Sequence, residues 1–299
     1  MGTYAEVLVR GGDDGLAGWV EGRLTELEER WSRFRPDSEL SRLNAAGGAP
    51  CVVSADTIAL VDAMRQASDR TAGRFDPTLH DALVGLGYAT GWVEGMSAGE
   101  MPAARSGKPI DGHGCEGIEI APRAGIVRLP PWVRLDPGGL GKGLAADLVA
   151  AELLDRGAEG VLVNVGGDLR AAGEPPPADD GGARWTIEVE APELGAASIG
   201  RIELVEGGIA TSTSARRRWT TSDGHVVHHI VDPATGLPSE TSRVQVTVVA
   251  GSAWWAEVLA TVAFLDGRLD DPHAAAIVVD DTGRIDGLGD VARWFRTLP

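Results

Sequence analysis

From residue 120 onward the chain is dominated by short apolar runs that follow one another across tight turns. Strand-like runs lie at 160–165, 184–190, 200–205, 226–231, 243–250 and 275–280, after two shorter ones near 126–129 and 132–136. Only two helical patterns interrupt them. One, at 140–155, carries an apolar stripe of Leu140, Leu144, Leu148, Ala151 and Leu154 and stops at Gly157; the other spans 253–265. A parallel sheet needs a helix between successive strands, and that alternation is missing, so the pattern predicts an α+β fold with mainly antiparallel sheets flanked by helices. The first 120 residues are more helical. Val7–Val9 belong to a strand, and Leu16, Val20, Leu24, Leu27, Trp31 and Phe34 recur at helical spacing over 14–34. Ser54 caps a second helix that runs to about Gly73. Residues 98–118 and 172–183, rich in Gly, Pro and small residues, read as loops. No linker divides the chain, so 1–299 reads as one domain with room for two subdomains.

Charge narrows the partners. The formal net charge of −17 repels nucleic acid and anionic membranes, while leaving room for a small phosphorylated ligand in a local basic pocket. No apolar run approaches the roughly 20 residues of a membrane span. The start, "MGTYAEVLVRGG", has the look of a strand and not of a signal peptide, which points to the cytoplasm. Cys51 and Cys115, far apart, form neither a disulfide framework nor a zinc site.

Five segments carry residues suited to chemistry. "LDPGGLGKGLAAD" (135–147) places Lys142, one of only two lysines, in a glycine-rich turn that feeds a helix. Exposed amides at such a turn suit a phosphate. The phosphate-binding fingerprints fail, since Gly143 stands where a P-loop needs a hydroxyl and Leu144 where a dinucleotide turn needs glycine. A solvated lysine at a strand–turn–helix corner is the competing reading. "VNVGGD" (163–168) is a glycine turn between strands. "GGIATSTSARRRW" (207–219) collects hydroxyls and three arginines, either for a phosphate or ribose or as an exposed strand end. "HHIVDPATGLP" (228–238) brings two histidines to a tight turn, and one of them must face inward along a strand, where it is either a polar rim residue or a proton carrier. "SAWWAEVLATVAFLDG" (252–267) sets Glu257 and Thr261 four apart on one helical face. A glutamate among such neighbours faces water or needs a partner, and carboxylate plus hydroxyl suits a hard cation such as Mg²⁺.

The order of these segments is more telling than any one of them. "FRPDSELSRLN" (34–44), "FDPT" (75–78), "LDPGGLGKGLAAD", "VNVGGD", "IATST" (209–213), "HIVDPATGLP" (229–238) and "AEVLAT" (256–261) follow an initial "MGT" as in the ApbE family, which the chain resembles from Met1 to about residue 280. The H-x-x-x-P-x-T-G element is the most specific. The family's members are FAD:protein FMN transferases. The resemblance implies a T-fold-like architecture with FAD in a cleft, FAD as substrate, Mg²⁺ as cofactor and AMP as product. The FMN half goes to a Thr or Ser of a target flavoprotein carrying a D-x-[ST]-[GA]-x-T-like motif. Some members instead hydrolyse FAD to FMN and AMP, and a non-catalytic FAD-binding relative is a third possibility.

Position by position, the resemblance implies FAD contacts at Met1, Phe34, Arg74, Phe75, Asp76, Asp136, Lys142, Gly167, Asp168, Thr211, Ile230 and Thr235. It implies Mg²⁺ ligands at the Gly139 carbonyl, Glu257 and Thr261, and a catalytic role for His229. The chain departs from the family pattern in four places. Glu257 replaces the metal aspartate, Ala260 stands where some members have a further aspartate, Phe34 fills a slot often held by tyrosine, and the 210–215 loop ends in arginines rather than A-T-S-G-[DN]-Y. "DRTAGR" (69–74) approaches the acceptor motif but ends in Arg74 and reads as a helix end, so self-flavinylation is not expected.

Overall fold

A computed structural model describes residues 3–13, 15–88, 112–191, 196–220 and 226–297. The chain builds two compact units. One comprises Thr25–Gly141 and Arg216–Glu240, the other Thr3–Leu24, Lys142–Ala215 and Thr241–Pro299. Six helices are named below: α1 (Leu16–Trp31), α2 (Glu39–Ala45), α3 (Ala55–Arg70), α4 (His80–Gly85), α5 (Gly141–Asp155) and α6 (Ala253–Asp266).

The second unit is built on a seven-stranded sheet. Its strands run, in spatial order, Ala5–Arg10, Gly160–Val165, Asp168–Gly173, Gly207–Thr213, Arg243–Ala250, Ala275–Asp280 and Ile285–Leu288. Every neighbouring pair is antiparallel, as the run of strands without intervening helices predicts. Side chains alternate along each strand, so the sheet has two faces to cover. Leu169, Ala171, Ile209, Val249 and Ile277 pack on one side against Trp185, Val189, Ile202 and Leu204 of a smaller sheet, Trp185–Ala191 with Ala196–Leu204 and Phe295–Thr297. Against strands Gly207–Thr213 and Arg243–Ala250 lies α6, buried at Ala253, at 255–260 and at 262–264. Such a helix, apolar nearly all round, belongs to a core layer.

The first unit combines α2, α3 and α4 with a sheet of Cys51–Val52, Ile126–Arg128 and Glu119–Ala121 and two short ribbons. Ser54 does cap α3: its hydroxyl accepts the Thr57 N–H at 3.3 Å and donates to Glu39 Oε2 at 2.7 Å. The strand expected at 132–136 does not form. Pro130, Pro131 and Pro137 lack the N–H that a ladder needs. The Asn44 side-chain amide stands in for a neighbouring strand instead, donating to Leu135 O and accepting from Leu135 N, both at 2.8 Å. The run expected at 226–231 is likewise split, into Val226–His228 and Val231–Asp232. Among the described residues no helix is long and apolar enough to cross a membrane.

Candidate functional site

In the second unit the expected residues of α5, the Val165–Asp168 turn and α6 come together. Gly166 and Gly167 take positive φ, +63° and +96°, in the turn that joins two core strands. The Asn164 side chain accepts the Gly167 N–H at 2.9 Å, and Asp168 follows as the first residue of the next strand. Asp168 is 1 % exposed and Glu257 4 %. The Lys142 ammonium lies between them, hydrogen-bonded to Asp168 Oδ2 and, at 2.7 Å, to Glu257 Oε1. Two buried carboxylates thus share one ammonium. Burial first, then the Glu257 charge, pushes the Asp168 carboxyl up to about 7 against the opposing pull of Lys142.

Helices α5 and α6 cap each other. Glu257, on the second turn of α6, accepts the Gly143 N–H near the start of α5 through Oε2 at 2.8 Å. Asp147, on the second turn of α5, accepts the Ala253 and Trp254 N–H groups that open α6, at 3.0 and 2.9 Å. The nominal cap of α6, Ser252, makes no side-chain capping bond, so Asp147 supplies what it does not. Each carboxylate also sits at the positive end of the other helix's dipole. Asp147→Ala leaves two buried amides without acceptors and is expected to cost about 2 kcal/mol of stability, measured by urea unfolding. An unchanged midpoint would show that water replaces the cap at no cost.

Strand alternation sorts the hydroxyls of "IATST". Thr211 points toward the smaller sheet and meets Thr247 Oγ1 at 2.9 Å, while its N–H reaches Asp168 Oδ1 at 3.4 Å. Ser212, one residue on, faces α6 and lies 3.4 Å from Thr261 Oγ1. The Thr261 hydroxyl also donates to Glu257 O at 3.3 Å. Ser212 carries no motif of its own, and only the parity of its strand marks it as facing Thr261. The side-chain oxygens here come from buried Asp168 and Glu257 and half-buried Ser212 and Thr261, and the formal charges of the cluster leave one negative in excess. That chemistry fits a hard divalent cation. Among the described residues no group of three or more His, Cys, Asp or Glu side chains forms an all-protein metal cage, so the fit rests on carboxylates and hydroxyls.

The first unit holds the remaining expected residues. Asp136, 6 % exposed, accepts the Gly138 N–H at 2.7 Å and pairs with Arg33 Nε at 2.7 Å. The same guanidinium lies over the Phe34 ring at 4.2 Å and the Tyr88 ring at 4.6 Å. Arg33 therefore links Phe34 to Asp136, and the sequence offered no signal for it beyond a charge at the end of an apolar helical stripe. Gly139 has φ of +94°. Arg74 pairs with Asp232 at 2.9 Å, which ties "RFD" to the "HIVDPATG" turn. Phe75 is buried, and Asp76 accepts from Thr78 N and Oγ1 at 2.8 and 2.6 Å. Thr235 is exposed in that turn, and Ile230 is buried.

The two histidines separate cleanly. His228 receives the Ile230 N–H on Nδ1 at 3.2 Å and meets Ser239 O through Nε2 at 3.1 Å. Both of its nitrogens serve the backbone, and burial holds it below the ordinary histidine range, so it is a neutral structural residue. His229 is half-buried. Met1 and the 98–111 part of the small-residue stretch lie outside the described residues.

A family profile described as "ApbE family" matches residues 1–278. The chain belongs to the ApbE family. ApbE relatives include the FAD:protein FMN transferase of Vibrio cholerae, 31 % identical over 81 % of this chain and 70 % of its own length. Another is the FAD:protein FMN transferase of Salmonella typhimurium, 30 % identical over 85 % and 73 %. The crystal structure of the ApbE protein from Thermotoga maritima superposes with a TM-score of 0.79 at 24 % identity, covering 98 % of this chain and 95 % of that one. The Vibrio cholerae flavin transferase ApbE superposes at 0.72 with 25 % identity, over 98 % and 96 %. The α+β architecture is therefore the ApbE fold.

Proposed function

We propose that this chain is an enzyme that transfers FMN from FAD onto a threonine or serine hydroxyl of a target flavoprotein, with Mg²⁺ as cofactor and AMP as leaving group. Its relatives carry the transferase name. The observation that carries the reading is the buried Asp168–Lys142–Glu257 cluster beside Ser212 and Thr261.

In this reaction the acceptor oxygen forms a bond to the FMN phosphorus as the bond from that phosphorus to the bridging oxygen breaks. AMP departs with the electron pair. His229 takes the acceptor proton, a role worth about 10²–10⁴-fold in rate. Lys142 places a positive charge for the pyrophosphate oxygens. Asp168 and Glu257 hold the ammonium in place, and Glu257, Thr261 and Asp168 are the side chains that would hold Mg²⁺. When bound, that ion neutralises charge on the phosphates and helps align the displacement. Phe34, Arg74, Phe75, Asp76, Asp136, Ile230 and Thr235 are assigned to the flavin nucleotide, following the family pattern.

The test is to incubate the protein with FAD, Mg²⁺ and a flavoprotein carrying a D-x-[ST]-[GA]-x-T-like motif. Covalent FMN on the target's hydroxyl, with one AMP released per FMN, is the expected result in intact-mass and nucleotide analysis. Free FMN and AMP beside unmodified target would make the protein a hydrolase. FAD bound and never cleaved at any Mg²⁺ concentration would make it a binding protein.

A further inference from the structure

The arginines of "ARRRW" take no part in the chemistry above. In a chain with 44 acidic side chains and 27 basic ones, three consecutive cations are conspicuous. Among the described residues, arginines such as Arg10, Arg23, Arg33, Arg74, Arg128, Arg134, Arg170 and Arg184 each reach a carboxylate. No ion pair or hydrogen bond of Arg216, Arg217 or Arg218 to any described residue accompanies them. Arg216 and Arg218 are exposed, and Arg217 is half-buried.

The turn that presents them is held firmly. Arg217 adopts φ of +54°, one of two non-glycine residues to do so among the described residues. That conformation costs a bulky L-residue about 1 kcal/mol or more and persists only where the surroundings impose it. Two residues on, Trp219 is fully buried. Its indole N–H donates to Leu86 O at 2.7 Å, and its ring stacks on Tyr88 at 5.6 Å. The strand Arg218–Thr220 pairs with Val226–His228, and Arg218 stands directly opposite His228. Directly opposed residues in an antiparallel pair project from the same face. Arg218 therefore projects on the same side as His228, on the ribbon whose second strand is followed directly in sequence by His229.

We propose that the Arg216–Arg218 turn is a docking point for an acidic segment of the protein that receives FMN. This deepens the transferase reading and rests on it for the identity of the partner. Long polyanions are unsuitable occupants. A duplex or an anionic membrane meets the whole −17 surface, whereas a short acidic segment needs only the local field, which salt screens beyond about 8–10 Å.

The experiment uses the full chain and a fluorescein-labelled peptide with one threonine flanked by glutamates and aspartates, alongside a twin with glutamine and asparagine at those positions. The acidic peptide is expected to bind at least about tenfold more tightly than its neutral twin, with an affinity that falls as salt rises. The double variant Arg216→Ala, Arg218→Ala is expected to lose that preference, and Arg216→Lys, Arg218→Lys to keep most of it. FAD affinity, read by quenching of flavin fluorescence, is expected to stay within twofold, and unchanged near-ultraviolet circular dichroism verifies the fold. Equal binding of the two peptides, or undiminished acidic-peptide binding by the alanine variant, would overturn the proposal. A fall in FAD affinity with no change in peptide binding would instead assign the arginines to the nucleotide phosphates. Peptide binding needs no turnover, so failure of FMN transfer by the wild-type protein would sink the transferase reading while leaving this measurement to be scored separately.

Discussion

Lys142→Met is expected to reduce FMN transfer by about 10²–10³-fold while making the protein's stability unusually responsive to Mg²⁺. The rate loss has the size associated with removing one preorganised charge aimed at a reacting group. The stability change has a separate origin. Asp168 and Glu257 are both buried, and Lys142 is the ammonium that both of them touch. Removing one partner of a buried charge set costs about 3–5 kcal/mol, because the remaining charge is left without compensation. Methionine roughly preserves the length and apolar stem of the side chain, so the loss is electrostatic. The variant is therefore expected to melt at lower temperature without added metal, and Mg²⁺ is expected to raise its Tm by more than it raises that of the wild-type protein. A Mg²⁺-induced shift that is the same for both would show that the two carboxylates are not the cation's oxygens. Because Tm requires no FAD and no turnover, this result stands apart from the activity assay.

Gly143→Ala is expected to destabilise the protein by about 3 kcal/mol, although helix propensity alone predicts a gain of about 1 kcal/mol from the same change. Gly143 is the third residue of α5, where alanine would ordinarily be an improvement. A Cβ there would stand 2.5 Å from Ala253 O and 2.7 Å from Trp254 N. Both are backbone atoms at the start of α6 and cannot rotate away. To admit the methyl group, α6 has to withdraw from α5, which lengthens the Glu257–Gly143 bond and both Asp147 bonds together. Guanidinium unfolding would read the sign directly, and a stabilised variant would refute the close crossing of these helices. Transfer activity is expected to fall at temperatures where the variant is still folded, since Glu257 and Lys142 both depend on that crossing for their placement.

These two substitutions show where sequence reading succeeds and where it stops. Lys142, Asp168, Glu257 and Thr261 were all legible as candidates, because a lone lysine among glycines and a glutamate inside an apolar helix each break a local pattern. What could not be read was their partnership. Asp168 looked like a nucleotide contact, and only the hairpin that turns at Gly166–Gly167 brings its carboxylate to Lys142. Asp147 carried no signal at all: an aspartate in the middle of a helix reads as a solvent-facing residue until the neighbouring helix end is seen against it. The missing strand at 132–136 failed for a similar reason. A side chain 91 positions away, that of Asn44, satisfies the Leu135 backbone in place of a strand.

By itself the amino-acid sequence determined the fold class, the mainly antiparallel pairing of its strands, the approximate spans of the long helices and several of the residues that meet at Lys142. Those properties follow from periodicity, capping and turn chemistry, which act between residues close along the chain. Tertiary structure alone decided which carboxylates share the Lys142 ammonium, which of His228 and His229 is tied to the backbone, which hydroxyl of "IATST" faces α6, and that α5 and α6 cap each other. The carboxylate, hydroxyl and capping contacts join segments far apart in sequence, and those of His228 depend on how a tight turn folds back on it, all at distances of 2.7–3.4 Å. Hydrogen bonds and ion pairs are decided at that scale, and local patterns carry no information about it.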